Sequence, residues 1–218
     1  MKVVQSVFKI LAPLAILSSG SAFAQDIVPA LVPSEPIVIE NISFKGTGCA
    51  DESTASVNIS EDKQAFTVSF SEFLAESGPG IPLSAGRKNC NLTLDLDIPA
   101  GWQFSLASFN FRGFVGLDSG VSAEHSATYF LQGAPQQLKY ASTSVGAFSQ
   151  DYVYTDTFGV GSAVWSECGI KRALSINTAL RVWNTNKSKY PNAAGLLTND
   201  TIDGQIKQVW GLTWRTCS

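Results

Sequence analysis

The sequence predicts an all-β protein: a two-sheet antiparallel β-sandwich of about nine strands, stapled by disulfides, with a β-barrel as the alternative. Three observations lead to this prediction. Polar and apolar residues alternate along much of the chain, no segment has a convincing helical period, and turn-forming residues separate the alternating runs. Alternation with one apolar face is typical of antiparallel sheets that pack on one side and face water on the other.

The clearest predicted strand covers residues 90–98, where polar and apolar side chains alternate without a fault over nine residues. Two further runs lie at 174–182 and 206–214, and Trp210 and Trp214 share the apolar phase of the second. Weaker patterns predict the remaining strands, at 37–44, 55–60, 65–74, 102–117, 127–132 and 151–158.

The N-terminus has the three parts of a secretory signal peptide, predicted to span residues 1–24. Lys2 and Lys9 supply positive charge, an apolar run follows, and an Ala-Phe-Ala cleavage site ends at Ala24. The apolar run is shorter than the roughly 20 residues of a membrane-spanning helix. We expect a secreted protein, extracellular or periplasmic, with no transmembrane segment after signal removal. Residues 25–36, rich in proline, are predicted to be an extended arm, and 37–218 a single β-sandwich domain.

The composition argues against several classes of function. Lysine and arginine number 15 against 18 aspartates and glutamates, a net charge of −3, so no basic excess is present to bind nucleic acid. The single histidine, His125, lies in a polar stretch without a G-x-S-x-G elbow, and we interpret it as a surface residue. The sequence predicts no cofactor.

The four cysteines of an exported chain favour two disulfides. Cys49, Cys90, Cys168 and Cys217 lack the C-x-x-C spacing of zinc ribbons and redox motifs, and three connectivities are open. We prefer Cys49–Cys90 with Cys168–Cys217, because each pair joins segments that are near in sequence. On the chain-entropy model, each bridge then contributes roughly 3–4 kcal/mol.

Residues 77–89 form a predicted loop rich in glycine and proline that ends at Arg87, Lys88 and Asn89. Loops fixed to a rigid sheet often carry binding residues, and the two cations suit a uronic acid or a phosphate. Trp183 falls on the polar face of its strand, where an exposed indole stacks on sugars or covers a sheet edge. These four residues are the predicted ligand contacts; the alternative is a hairpin connection without a ligand.

The carboxylates offer weaker candidates for chemistry. Asp95 and Asp97 project from one strand face, about 7 Å apart by strand rise, and are weak candidates for calcium or for a glycosidase pair. We favour a solvated sheet face. Asp118-Ser119-Gly120 matches the turn of aspartic proteases, but that chemistry needs a second such turn, which the sequence lacks. No catalytic residue is predicted.

An ordered set of short motifs resembles a secreted family known as domain of unknown function 4360. The motifs lie in order from residue 39 to residue 217, and they are Gly46-Thr47-Gly48-Cys49, Ser77-Gly78-Pro79-Gly80, Arg87-Lys88-Asn89-Cys90, Pro99-Ala100-Gly101-Trp102-Gln103-Phe104, Phe111-Arg112-Gly113, Leu117-Asp118-Ser119-Gly120-Val121, Trp165-Ser166-Glu167-Cys168-Gly169, Asp203-Gly204 and Gly211-Leu212-Thr213-Trp214-Arg215-Thr216-Cys217. The resemblance implies export, four paired cysteines and one β-rich domain. It implies no catalytic residue.

Two hypotheses for the function belong to different classes. The first is a secreted, non-enzymatic β-sandwich that binds a surface glycan, a cell-wall polymer or a protein partner. The alternative is a secreted carboxylate-dependent hydrolase that draws on Asp95, Asp97, Asp118 and Asp156. A structural coat or matrix subunit is a third possibility.

The first testable prediction concerns processing. Because the signal sequence ends at Ala24, the secreted protein should begin at Gln25 or at its pyroglutamate form. Intact-mass measurement of secreted material checks this. Recovery of the whole chain from Met1 in membranes would refute it.

Overall fold

Antiparallel strands make up most of the structure. A computed structural model describes residues 33–34, 38–51, 53–61, 65–132, 134–157, 164–168, 171, 173–199 and 206–217. Within these residues one 3₁₀ helix, Leu83–Gly86, accompanies twelve strands. The strands are β1 Val38–Lys45, β2 Ala55–Ile59, β3 Ala65–Phe70, β4 Leu74–Ser77, β5 Arg87–Asp97, β6 Trp102–Leu117, β7 Val121–Leu131, β8 Leu138–Val145, β9 Phe148–Thr157, β10 Ala173–Asn184, β11 Gly195–Thr198 and β12 Ile206–Thr216.

The strands form two sheets. One has the order β1-β5-β10-β7-β8, and the other has the order β2-β3-β12-β6-β11-β4, with β9 also paired to β6. Neither sheet closes on itself, so the predicted sandwich is confirmed and the barrel alternative is not adopted. A single apolar core includes fully buried residues of both sheets, such as Leu94 and Tyr129 of the first and Phe70, Phe104 and Phe111 of the second.

The sequence patterns missed three strands. Strands β4 and β11 have only four residues each, too few to show a period. In β8 the inward positions include two serines, Ser142 and Ser144, so the apolar alternation fails although the strand is regular. Strand β7 begins at Val121, six residues earlier than predicted. A polar residue, His125, interrupts the apolar residues at its inward positions, so the pattern does not reveal where the strand starts.

His125 is one of those inward residues, and its interpretation as a surface residue is wrong. Its side chain is 1% exposed, and its ring centroid lies 3.7 Å from that of Phe111 and 5.8 Å from that of Tyr140. Its Nε2 lies 3.2 Å from Thr178 Oγ1. Burial lowers the pKa of the imidazole from 6.5 to about 3, so His125 is neutral at pH 7.

Both disulfides of the structure are the pairs preferred from the sequence. Cys49 bonds Cys90 with a Cα–Cα distance of 5.4 Å, and Cys168 bonds Cys217 with a distance of 5.9 Å. The second bridge ties the residue after β12 to the segment 164–168. Trp214, also in β12, is buried with its ring 6.0 Å from that of Phe104.

The described residues belong to one compact unit, Leu31–Ser218. The predicted signal peptide, most of the predicted arm and the side chain of Trp210 lie outside the described residues. In the described part of the chain, no helix has the length and apolar character needed to cross a membrane.

The second testable prediction follows from the burial of His125. Since its pKa is near 6.5 when unfolded and about 3 when folded, the unfolded state binds more protons between these values. The free energy of unfolding therefore falls as the pH is lowered from about 6.5 towards 3, by up to about 1.4 kcal/mol per pH unit from this group. The variant His125→Gln should lack that contribution. Urea unfolding of both proteins across this pH range checks this, and parallel pH profiles would contradict it.

Candidate functional site

A cleft of about 460 Å³ lies where β5 begins and β10 ends. We call it the cationic cleft. Its lining residues come from β4, the 3₁₀ helix, the two strand ends and the loops beside them, and they are Glu76, Ser77, Gly78, Pro79, Ile81, Pro82, Leu83, Gly86, Arg87, Arg181, Val182, Trp183, Asn184, Lys187, Pro191 and Ala193.

One wall of the cleft is the segment between β4 and β5. Residues 78–81 make a type II turn, with Pro79 and Gly80 at its centre and the Ile81 N–H donating to Gly78 O at 3.2 Å. Gly80 has φ of +78°, which glycine adopts without strain. At Gly86 a Cβ would lie 3.0 Å from Val182 O, so this wall packs closely on β10. The glycine and proline of the predicted loop thus build a defined wall.

The opposite wall is the loop after β10, which carries Lys187. Asn184 anchors it twice, because its Nδ2 donates to Tyr190 O at 2.7 Å and its Oδ1 accepts from the Asn186 N–H at 2.9 Å. The Thr185 N–H and hydroxyl both donate to Gly120 O, at 2.7 and 2.8 Å. Lys187 therefore extends from a fixed backbone.

Two arginines lie on the strand ends between these walls. Arg87 of β5 and Arg181 of β10 are paired residues in the antiparallel register, so both side chains leave the same face of the sheet side by side. The guanidinium of Arg181 lies over the indole of Trp183, 4.6 Å from the ring centroid. Trp183 is partly buried, and this contact occupies a face of its indole that the sequence analysis treated as exposed.

The cleft is positively charged although the chain is net negative. Three cations, Arg87, Arg181 and Lys187, line it, against one carboxylate, that of Glu76. Among the described residues, the ion pairs are those of Lys171 with Glu40 and Asp97, and none involves these three cations. The field in the cleft therefore favours an anion.

The structure separates the predicted ligand contacts into two groups. Arg87 and Trp183 both line the cationic cleft. Lys88 does not line it, because β5 begins at Arg87 rather than at residue 90, and successive strand residues point to opposite faces. Asn89 is held by Thr47, whose hydroxyl donates to Asn89 Oδ1 at 3.3 Å.

Arg181, Lys187 and Leu83 also line the cleft, and the sequence patterns did not single them out. Arg181 shares a strand face with Trp183, so the alternation could have suggested it. Its position opposite Arg87 depends on the pairing register of β5 and β10, and local sequence patterns do not predict that register.

Three of the carboxylates proposed for a hydrolase, those of Asp95, Asp97 and Asp118, each have a different partner. Asp95 accepts a hydrogen bond from Asn41 at 3.3 Å, and Asp97 pairs with Lys171, also at 3.3 Å. The hydrogen bond from Lys171 to Glu40 raises the pKa of that lysine, and Asp97 adds to the effect. Asp118 Oδ2 accepts from the Ala194 N–H at 2.8 Å, so it holds a loop.

The side chain of Asp156 lies outside the described part of the chain. Within that part, no group of three or more His, Cys, Asp or Glu side chains is placed to hold a metal ion. The weak calcium candidates Asp95 and Asp97 therefore belong to no such group among the described residues.

A second cleft, of about 720 Å³, is lined in part by the same segment, Glu76–Pro79. Its lining is mainly apolar and includes Phe114, Phe148 and Leu196. We call it the apolar cleft. It shares Glu76, Ser77, Gly78, Pro79 and Ile81 with the cationic cleft.

Sequence comparison gives one family and one close relative. The sequence model of the family described as Domain of unknown function (DUF4360) matches residues 35–217. A protein of Arthroderma benhamiae named "Uncharacterized secreted protein" is 36% identical over 184 residues, which are 84% of this chain and 73% of the relative.

Solved structures resemble this one only weakly. Alignment with TmCBM61, solved in complex with β-1,4-galactotriose, covers 82% of this chain and 90% of that chain, at 10% identity and a TM-score of 0.27. The enzymatically active domain of bacteriophage CBA120 tailspike protein 4 aligns over 80% of this chain and 20% of its own, at 14% identity and a TM-score of 0.28. Scores this low carry no conclusion about shared function.

Proposed function

The chain belongs to the DUF4360 family, and we propose that this secreted protein binds a surface glycan or cell-wall polymer without modifying it. The cationic cleft is the binding site in this proposal. The observation that carries it is the meeting of cationic and apolar groups in one cleft: Arg87, Arg181, Lys187, Leu83 and Trp183.

These groups suit a sugar polymer. Sugars present hydroxyl groups that accept hydrogen bonds and C–H faces that pack on apolar side chains. The guanidinium groups supply several donors in fixed geometry, and Leu83, which is 86% exposed, supplies an apolar surface at the rim.

The proposal that the protein binds its ligand without cleaving it rests on the number of carboxyl groups that line the cationic cleft. Glycoside hydrolysis uses two carboxyl groups that flank the scissile bond. Among the residues that line the cationic cleft, only Glu76 carries one. The arrangement therefore favours binding over cleavage.

The third testable prediction compares two exposed apolar residues. Leu83→Ser should weaken binding to the bound polysaccharide roughly five-fold, because about 1 kcal/mol of apolar contact is lost. The matched control is Val153→Ser, on β9 of the other sheet, where 61% of the side chain is exposed. The control should bind as the wild type does, and both variants should keep its melting temperature.

The measurement is a pull-down of the secreted protein with a panel of neutral and acidic cell-wall polysaccharides, followed by a reducing-end assay on each. We expect binding to at least one polymer without release of reducing ends. No binding to any polymer would overturn the proposal, and release of reducing ends would replace it with the hydrolase hypothesis.

A further inference from the structure

Arg87 and Arg181 lie directly opposite each other on the neighbouring strands β5 and β10. Like charges directly opposite each other on neighbouring strands repel. The residues that could offset this are near but unpaired with them: Glu124 is the register neighbour of Arg181 on β7, and Glu76 lines the cleft. In the described part of the chain, neither carboxylate forms an ion pair with an arginine.

We propose that the cationic cleft is an oxyanion site, and that the polymer it binds is an acidic polysaccharide bearing carboxylate or phosphate groups. This inference rests on the proposed function and deepens it by naming the class of ligand. An oxyanion between the two guanidinium groups replaces their repulsion with charge-assisted hydrogen bonds. Planar guanidinium groups bind both carboxylate and phosphate in a bidentate manner, which makes them more specific than lysines.

Trp183 has a different part in this site from the one predicted from sequence. Its indole lies under the Arg181 guanidinium, 4.6 Å away, and it is two residues further along the same strand face. This contact holds the guanidinium at the cleft before any ligand binds, which lowers the entropy lost on binding. We therefore assign Trp183 as a positioning residue for Arg181.

Lys187 extends the positive charge to the opposite wall. It comes from the loop fixed by Asn184 and Thr185, so its backbone position is set independently of the strand ends. The three cations thus approach the cleft from both of its sides. A polymer with repeating anionic groups can contact this spread of charge at more than one position.

The experiment compares polymers that differ in charge. Polygalacturonate and its fully methyl-esterified form share a backbone, and a wall teichoic acid supplies phosphate in place of carboxylate. We expect binding to polygalacturonate, to teichoic acid, or to both, at least about ten-fold tighter than to the ester, and weakened by added salt. Preference for one acidic polymer identifies the source of the oxyanion. Equal binding to the acidic polymer and the ester would overturn the inference while leaving the proposed function intact.

Variants locate the site. Arg87→Gln and Arg181→Gln should each weaken binding to the acidic polymer about ten-fold or more, with no loss of melting temperature. Lys139→Gln, on β8 of the same sheet, is the control and should change binding less than two-fold. Trp183→Leu should weaken binding, whereas Trp183→Phe, which keeps an aromatic face for Arg181, should retain most of it. Full binding by both arginine variants would overturn the assignment.

Discussion

The pairing register of β10 is the constraint on which the candidate site depends. This strand lies at the centre of the five-stranded sheet and is hydrogen-bonded along both edges, to β5 and to β7. Leu174, Ile176, Leu180 and Val182 are buried on its inner side. A shift of one residue would place these side chains in water and Arg181 in the core. Burial of the apolar face therefore fixes the position of Arg181 on the outer face, opposite Arg87.

The same register brings the two walls of the cleft together. The wall before β5 packs on the end of β10 at Gly86, and the wall after β10 is anchored to the turn at Gly120. At Gly120 a Cβ would lie 2.1 Å from the ring of Tyr190, so this turn has no room for a side chain. The cations of the cleft are thus carried by elements that the core and the turns hold in place, as a preorganised binding site requires.

Much of the fold could be predicted because it follows from local pattern. The alternation at residues 90–98 reflects real burial of Leu92, Leu94 and Leu96, and the cysteines pair as their sequence spacing favours. The failures at β7 and β8 have a common cause, which is polar residues at inward positions. His125 and Thr178 are polar residues on inward positions, and they contact each other across neighbouring strands, which the pattern of a single strand does not reveal.

The candidate site shows the same limit. Arg87 is a cation beside a turn, and Trp183 is an indole on a polar strand face. The sequence alone selects both as candidate ligand contacts. Lys88 has the same local setting as Arg87, yet it lies on the other face because β5 starts earlier than its pattern indicates. Arg87 and Arg181 are far apart in sequence and become neighbours only because β5 pairs with β10, so sequence patterns do not predict that they lie side by side.

A double-mutant cycle tests most directly whether the fold holds Arg87 and Arg181 against each other as an oxyanion site. The free energy of unfolding would be measured for the wild type, Arg87→Gln, Arg181→Gln and the double variant, without ligand and with saturating acidic polysaccharide. We expect an unfavourable coupling energy between the two arginines of about 0.2–1 kcal/mol in the free protein, and a favourable one when the ligand is bound. Two results would contradict this expectation. One is a coupling energy that is zero or favourable without ligand, and the other is a coupling energy that does not change when the ligand binds.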